Sequence, residues 1–281
     1  MRDYFFGWYL KCQNRENTLA MIPAIHENGG KRTASLQIIS EDGAWNINLP
    51  GEIFKRNKNT IFLGKNRFGR NGIRVDFGTK DVRIKGKLDF GPITPIKYDI
   101  MGPFALIPFM ECRHSVMSMR HTVNGKVCVN GHNYVFENAL GYWEGDSGYS
   151  FPKEYLWTQT LFNGGSLMLS VADIPFGLFD FTGIIGVIYY NNKEYRFATY
   201  LGARPLFIKD KKVRIKQGDM ELEAGILEEK GRGLNAPVAG SMVRTIHESA
   251  ACKAYYRFRI KGKTVFAFKT DRASFEYEYP N

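Results

Sequence analysis

Cysteine is scarce in this chain, and what there is does not pair. Cys12, Cys112, Cys128 and Cys252 are spread over 281 residues with no CxxC among them. The zinc-ribbon and dithiol-redox spacings are therefore excluded, and a chain this long does not need disulfide staples. Histidine is nearly as rare. His26, His114, His121, His132 and His247 show no HxxxH or HExxH spacing, so no metal site is expected. There is no P-loop, no Gly-x-Ser-x-Gly elbow and no dinucleotide fingerprint, so no cofactor is expected either. Long apolar runs are missing. Ile174 to Tyr190 is mostly apolar, but Asp180 and several glycines leave it short of the roughly 20 residues a membrane helix needs. The apolar stretch near the N-terminus is broken by Gly7 and ended by Lys11, too short for a signal-peptide core. A reduced, cytoplasmic protein is expected.

Helical 3.6-residue periodicity is also nearly absent, and period-two alternation takes its place. Val82-Arg83-Ile84-Lys85-Gly86-Lys87-Leu88 puts apolar residues on one face and basic ones on the other, as does Val213-Arg214-Ile215-Lys216. Such alternation marks half-buried antiparallel strands. The 21 Phe, 15 Tyr and 29 Gly suit many short strands joined by turns. The net charge is +11 and the pI about 9.4, but the cations are dispersed. No basic helix or zinc finger accompanies them, so nucleic acid is not expected as a partner, whereas an anionic membrane surface stays open.

The chain also repeats itself. Trp8 to Asn14 followed by Thr18 to Pro23 is answered by Trp157 to Asn163 followed by Ser166 to Val171. The hairpin turning at Glu41-Asp42-Gly43 is answered by one turning at Asn191-Asn192-Lys193. Gly72 to Phe77 is matched with Gly218 to Glu223, and Gly125-Lys126-Val127 with Gly262-Lys263-Thr264. Four matches in one order predict a duplication. Residues 1–138 and 139–281 are expected to form two all-β domains, each a barrel or strongly curved sandwich of antiparallel strands. Closed strands remove exposed edges, and an apolar small-molecule ligand is the expected partner.

Functional residue types concentrate between Gly141 and Gln159. In an extended segment Glu144 and Asp146 share a face. Two carboxylates on one face repel when ionised, and burial among rings penalises charge further, so one is expected to stay protonated and serve as an acid. Gly145-Asp146-Ser147-Gly148 is equally good turn chemistry. His121 and His132 flank an expected hairpin at Asn124-Gly125. His114 and His247 hold parallel places in the two halves, and a lone strand histidine reads as structural.

Three stretches carry a resemblance: Tyr4 to Lys11; Gly141-Tyr142-Trp143-Glu144 through Pro152, with Trp157 and Gln159; and Leu234 to Val238 followed by Ala273 to Glu276. Together they resemble the tocopherol cyclase-like family, in the lipocalin-like group that includes carotenoid hydratases. The resemblance implies two tandem lipocalin-like β-barrel or sandwich domains and acid-catalysed, cofactor-independent ring closure on a prenylated substrate. It makes Glu144 the acid, and the shared face puts Asp146 where it would set the pKa of that acid. Tyr142, Trp143 and Trp157 become cation-stabilising rings, and Gln159 and Trp8 join them as substrate contacts. The chain departs from the plant-type pattern at Phe6, where that pattern has Glu, and at Gly145-Asp146-Ser147, where it has Lys-Asn-Trp. A carrier that binds an apolar lipid or isoprenoid without chemistry is the alternative.

Overall fold

The computed structural model describes residues 3–107, 110–176, 179–228, 232–238 and 241–280. The side chains of 175–176, 179–180, 232–238 and 241–249 lie outside the described residues, and with them those of the Leu234 to Val238 stretch and of His247. Two compact units are formed. One comprises Met1–Ile96, Phe109–Phe151 and Leu234–Thr245; the other Lys97–Pro108, Pro152–Gly233 and Ile246–Asn281.

The first sheet has eleven strands. They are β1 (Tyr4–Gln13), β2 (Thr18–Asn28), β3 (Lys31–Ser40), β4 (Ala44–Pro50), β5 (Phe54–Arg56) and β6 (Thr60–Leu63). β7 (Asn66–Gly69), β8 (Gly72–Gly78), β9 (Arg83–Phe90), β10 (Cys112–Val129) and β11 (His132–Gly148) complete it. The second sheet uses β12 (Tyr155–Phe162), β13 (Gly165–Phe176), β14 (Phe179–Tyr190), β15 (Lys193–Ala198) and β16 (Arg204–Lys209). β17 (Lys212–Gln217), β18 (Met220–Glu228), β20 (Ser241–Ile260) and β21 (Lys263–Tyr277) follow, with β19 (Arg232–Val238) off this path and paired to β20.

The spatial orders follow one pattern, with two more strands on the far side of the first sheet. The first sheet runs β4-β3-β2-β1-β11-β10-β9-β8-β7-β6-β5, the second β15-β14-β13-β12-β21-β20-β18-β17-β16. Four strands step outward on one side, the last strand closes against the first, and the rest fill the other side. Each sheet curls on itself. Phe6 of β1 meets Phe54 of β5 edge-to-face with ring centroids 6.4 Å apart, although six strands separate them in the sheet. In the second sheet Phe197 of β15 meets Phe258 of β20 at 6.0 Å. One core lies inside each curl: Trp8, Leu10, Leu36, Phe68, Phe136 and Trp143 belong to the first, Leu156, Leu167, Phe197, Tyr256 and Phe275 to the second. The alternating basic strand behaves as its pattern demands, with Ile84 and Leu88 buried and Arg83, Lys85 and Lys87 exposed. The two-domain lipocalin-like β architecture is thus present.

The duplication is real in strand order, but three of the sequence matches are displaced. Tyr9 lies opposite Glu144 and Trp157 opposite Glu276, so Trp157 corresponds to Tyr9 rather than Trp8. One residue of slip exchanges the faces of a strand. Gly218 precedes β18, the counterpart of β9, whereas Gly72 opens β8. Gly125 does not form a turn at all. It sits inside β10 at a register shift, and the hairpin turns at Asn130-Gly131, where φ is 50° and 88°. A two-residue hairpin of this hand needs positive φ at both positions, which Asn130-Gly131 supplies. Its counterpart in the second half is Lys261-Gly262, at 50° and 74°.

Candidate functional site

β1, β11 and β10 are adjacent and buried on both faces where they meet. Alternation sends Trp8 and Leu10 of β1, with Trp143 of β11, into the barrel core. Trp8 and Trp143 pack edge-to-face at 4.8 Å. Gly145 makes this possible, because a Cβ there would lie 2.5 Å from Trp8 Cδ1 and 2.8 Å from the Gly7 carbonyl oxygen.

The opposite parity of β11 carries Tyr142, Glu144 and Asp146, the shared face expected from their spacing. It gathers around His114 of β10, which pairs with Asp146 in register. His114 Nδ1 is 2.8 Å from Asp146 Oδ1, and its Nε2 is 3.0 Å from Glu144 Oε2. The second approach is close but not aligned as a hydrogen bond. Tyr142 donates its hydroxyl to Glu144 Oε2 at 2.5 Å. Cys112 Sγ lies 3.5 Å from Asp146 Oδ1 as a weak thiol donor, and Ser115 donates to the Gly145 carbonyl at 3.0 Å. Glu144 is 2% exposed and His114 8%, so these charges act in a nearly dry setting.

Burial alone would push the imidazole of His114 down. The carboxylates of Asp146 and Glu144 more than offset it and hold the ring well above the ordinary histidine value. Burial, then the charge and hydrogen bond of Glu144, pushes the Tyr142 phenol up, so it stays neutral. Burial and Asp146 do the same for the Cys112 thiol. The cluster is an imidazolium between two carboxylates, one of which also holds a phenol proton.

Lys11 of β1 is fully buried and pairs with Tyr142 in register; Tyr9 pairs with Glu144. Both belong to the cluster's strand parity. The ligand atoms of His114, Glu144 and Asp146 lie within 4.8 Å of one another, close enough to meet around a cation. Both ring nitrogens of His114 already face a carboxylate, however, and a metal could bind only by displacing a ring proton. The donor set reads as an ion triad.

Of the residues singled out in the sequence, Tyr142, Glu144 and Asp146 come together. Trp8 and Trp143 lie on the core side of the same strands. Trp157 and Gln159 belong to β12 of the second unit, with Trp157 opposite Glu276 and Gln159 opposite Ser274. There Tyr155 donates to Glu276 Oε2 at 2.5 Å. Gln159 is fully buried, and among the described residues neither end of its amide has a hydrogen-bond partner. Sequence reading missed His114 as part of the site, along with Lys11. The available signal was a histidine on a strand whose neighbour carries two carboxylates two residues apart, but only the pairing of β10 with β11 makes that visible.

The sequence matches no family model and no curated protein. Solved structures do match in fold. An AttH protein from Nitrosomonas europaea aligns over 100% of this chain and 93% of its own, at 11% identity and a TM-score of 0.58. Kievitone hydratase from Nectria haematococca aligns over 98% and 89%, at 11% identity and a TM-score of 0.56. CghA in complex with Sch210972 aligns over 98% and 88%, at 9% identity and a TM-score of 0.61. At these identities the likeness establishes the two-domain lipocalin-like fold.

Proposed function

We propose that the His114–Glu144–Asp146–Tyr142 cluster is an acid–base site acting on an alkene of an apolar, prenylated substrate. The observation that carries this reading is the protonated, buried imidazole held between two carboxylates. A structural ion pair needs one carboxylate, and the second leaves a base beside a proton store. In ring closure the cluster adds a proton to an alkene carbon, a substrate phenol oxygen captures the cation, and the phenol proton returns to the cluster. Capture by water instead gives a hydrate. Either way the cluster ends in its starting protonation state and no cofactor is required.

The resemblance to tocopherol cyclase-like proteins supports ring closure, and the fold shared with kievitone hydratase is compatible with addition of water. In this reading His114 is the acid and Glu144 the base beside it. Glu144 is dry and bound to His114 and Tyr142 rather than capping a turn in water, which favours chemistry over simple carriage. The net charge of +11 suits supply of such a substrate from an anionic membrane surface, where association should weaken steeply as salt rises.

The test is incubation with a prenylated hydroquinone followed by mass spectrometry. An isomer of unchanged mass, or a product one water heavier, is expected from wild type and not from Glu144→Gln or His114→Gln. Substrate recovered unchanged from wild type would make the protein a carrier. Full turnover by Glu144→Gln would remove the cluster from the mechanism.

A further inference from the structure

A second place in the first unit has ligand-binding character, and none of the cluster residues lines it. It is a cavity of about 380 Å³ bordered by Tyr4, Ile25, Glu27, Arg32, Phe54, Lys55 and Arg56. A volume of that order accommodates a small molecule. It lies where the ends of β2 and β3, joined by a turn after Asn28, approach β5 across the curl of the sheet.

Its walls are of two kinds. Ile25 and Phe54 are each 5% exposed and belong to the barrel core. Phe54 continues through Phe6 to Trp8, with ring centroids 6.4 and 6.0 Å apart, so the floor is apolar and aromatic. The rim carries three cations and one carboxylate. Glu27 and Arg32 are cross-strand neighbours, yet no ion pair forms between them. Among the described residues no carboxylate comes within ion-pair reach of Arg32, Lys55 or Arg56. Arg56 instead sits over the Phe6 ring, its Cζ 3.9 Å from the centroid. That stacking holds the guanidinium beside the apolar floor and leaves its N–H edge unused. Gly51 packs directly on Arg32, where a Cβ would come within 2.7 Å of both its Cγ and its carbonyl oxygen, which fixes the other arginine's base. Unpaired cations above an apolar floor complement one ligand chemistry: an anion with an apolar tail.

We infer that this cavity binds an amphiphilic anion, its carboxylate or phosphate head held by Arg32, Lys55 and Arg56 and its tail laid against Ile25 and Phe54. Two arginines present the paired donors that carboxylate and phosphate oxygens accept. Tyr4 at the rim offers an amphipathic wall between head and tail. The site stands independently of the acid–base cluster.

Calorimetric titration of the full chain with dodecyl phosphate and with dodecanoate, each below its micelle concentration, tests the inference. At least one should bind, and the double variant Arg32→Gln/Arg56→Gln should weaken it tenfold or more. Dodecanol, which keeps the tail, should bind at least tenfold more weakly than the preferred anion. Inorganic phosphate, which keeps a head, should do likewise. Lys58→Gln, which removes one charge close by in sequence but outside the lining, should leave affinity unchanged. The inference is overturned if neither anion binds, if the double variant binds like wild type, or if dodecanol or inorganic phosphate matches the amphiphile. It is also overturned if Lys58→Gln weakens binding as much as the double variant does. Both arginines are exposed, and circular dichroism establishes that the double variant is folded.

Discussion

Glu144 in the first sheet and Glu276 in the second hold the same place in the same strand order, opposite Tyr9 and Trp157 respectively. Both are buried, and both accept a tyrosine hydroxyl at 2.5 Å. The tyrosines come from different strands: Tyr142 precedes Glu144 on β11, whereas Tyr155 reaches Glu276 from β12. The surroundings differ more. Where the first sheet sets Lys11 opposite Tyr142, the second sets Gln159 opposite Ser274. Where the first continues to Asp146 with His114 against it, the second continues to Glu278, beyond the end of β21. Among the described residues, the first copy sets a lysine, a histidine and a second carboxylate about its buried glutamate, and the second sets a glutamine and a serine near its own. The scaffold supplies buried, alternating positions on the closing strand pair; the side chains placed there decide whether protons can move.

The most direct way to break this comparison is to neutralise each glutamate in turn. Glu144→Gln is expected to lower turnover of a prenylated hydroquinone by about 10²–10⁴-fold, the range for loss of a positioned acid–base group. Glu276→Gln should change it by far less. Equal losses would mean that the two halves share the chemistry.

The pH dependence of stability separates them next. His114 is held above its unfolded value of about 6.5. Its contribution is therefore fully present below about pH 6.5 and is lost as pH rises through the folded value. Denaturant unfolding across the alkaline range should show this decline in wild type and not in His114→Gln. His26 and His121 have the opposite sign. Burial lowers each to about 4, so their contribution is present above about pH 6.5 and is lost as pH falls towards 4. A depression of that size corresponds to about 3 kcal/mol. His26→Gln should flatten the acid limb and leave the alkaline one alone.

Smaller effects sharpen the contrast. Tyr142→Phe and Tyr155→Phe each remove a hydrogen bond to a buried carboxylate, and each should cost about 2 kcal/mol in chemical denaturation. Similar stability losses with unequal turnover losses would assign the acid–base role to the first half alone. Gln159→Leu should act in the other direction. Replacing an amide buried without partners is expected to raise stability by about 1 kcal/mol, read as a higher Tm. A loss of stability would mean that the amide makes bonds after all.

The fold was largely legible because its signal is local. Alternation at Val82 to Leu88 and turn residues at Asn191-Asn192 report strands and hairpins without reference to anything distant. The duplication showed for the same reason, but only to within a residue. At Trp8 and Trp157 the identical side chains lie on opposite faces, so matching them by type shifts the alignment by one. Asn124-Gly125 and Asn130-Gly131 are the same dipeptide six residues apart, and which of them turns depends on where β9 runs alongside β10. The site was half legible. Glu144, Asp146 and Tyr142 fall on one face by spacing alone. His114 joins them only through strand pairing across a hairpin, and Lys11 only through the pairing of β1 with β11. Neither is encoded in a local pattern.

That last pairing also sets an order of assembly. During synthesis β1 leaves the ribosome first, and β2, β3 and β4 can hairpin onto it at once. Its other edge stays open until β11 has been made, after every other strand of its sheet. Glu144 then arrives opposite Tyr9, with His114 from the preceding strand beside it. A chain whose first sheet is only partly closed carries these charged residues in water, where they titrate normally and ignore one another. The unusual protonation of His114 is thus gained in the final step of closing the first sheet.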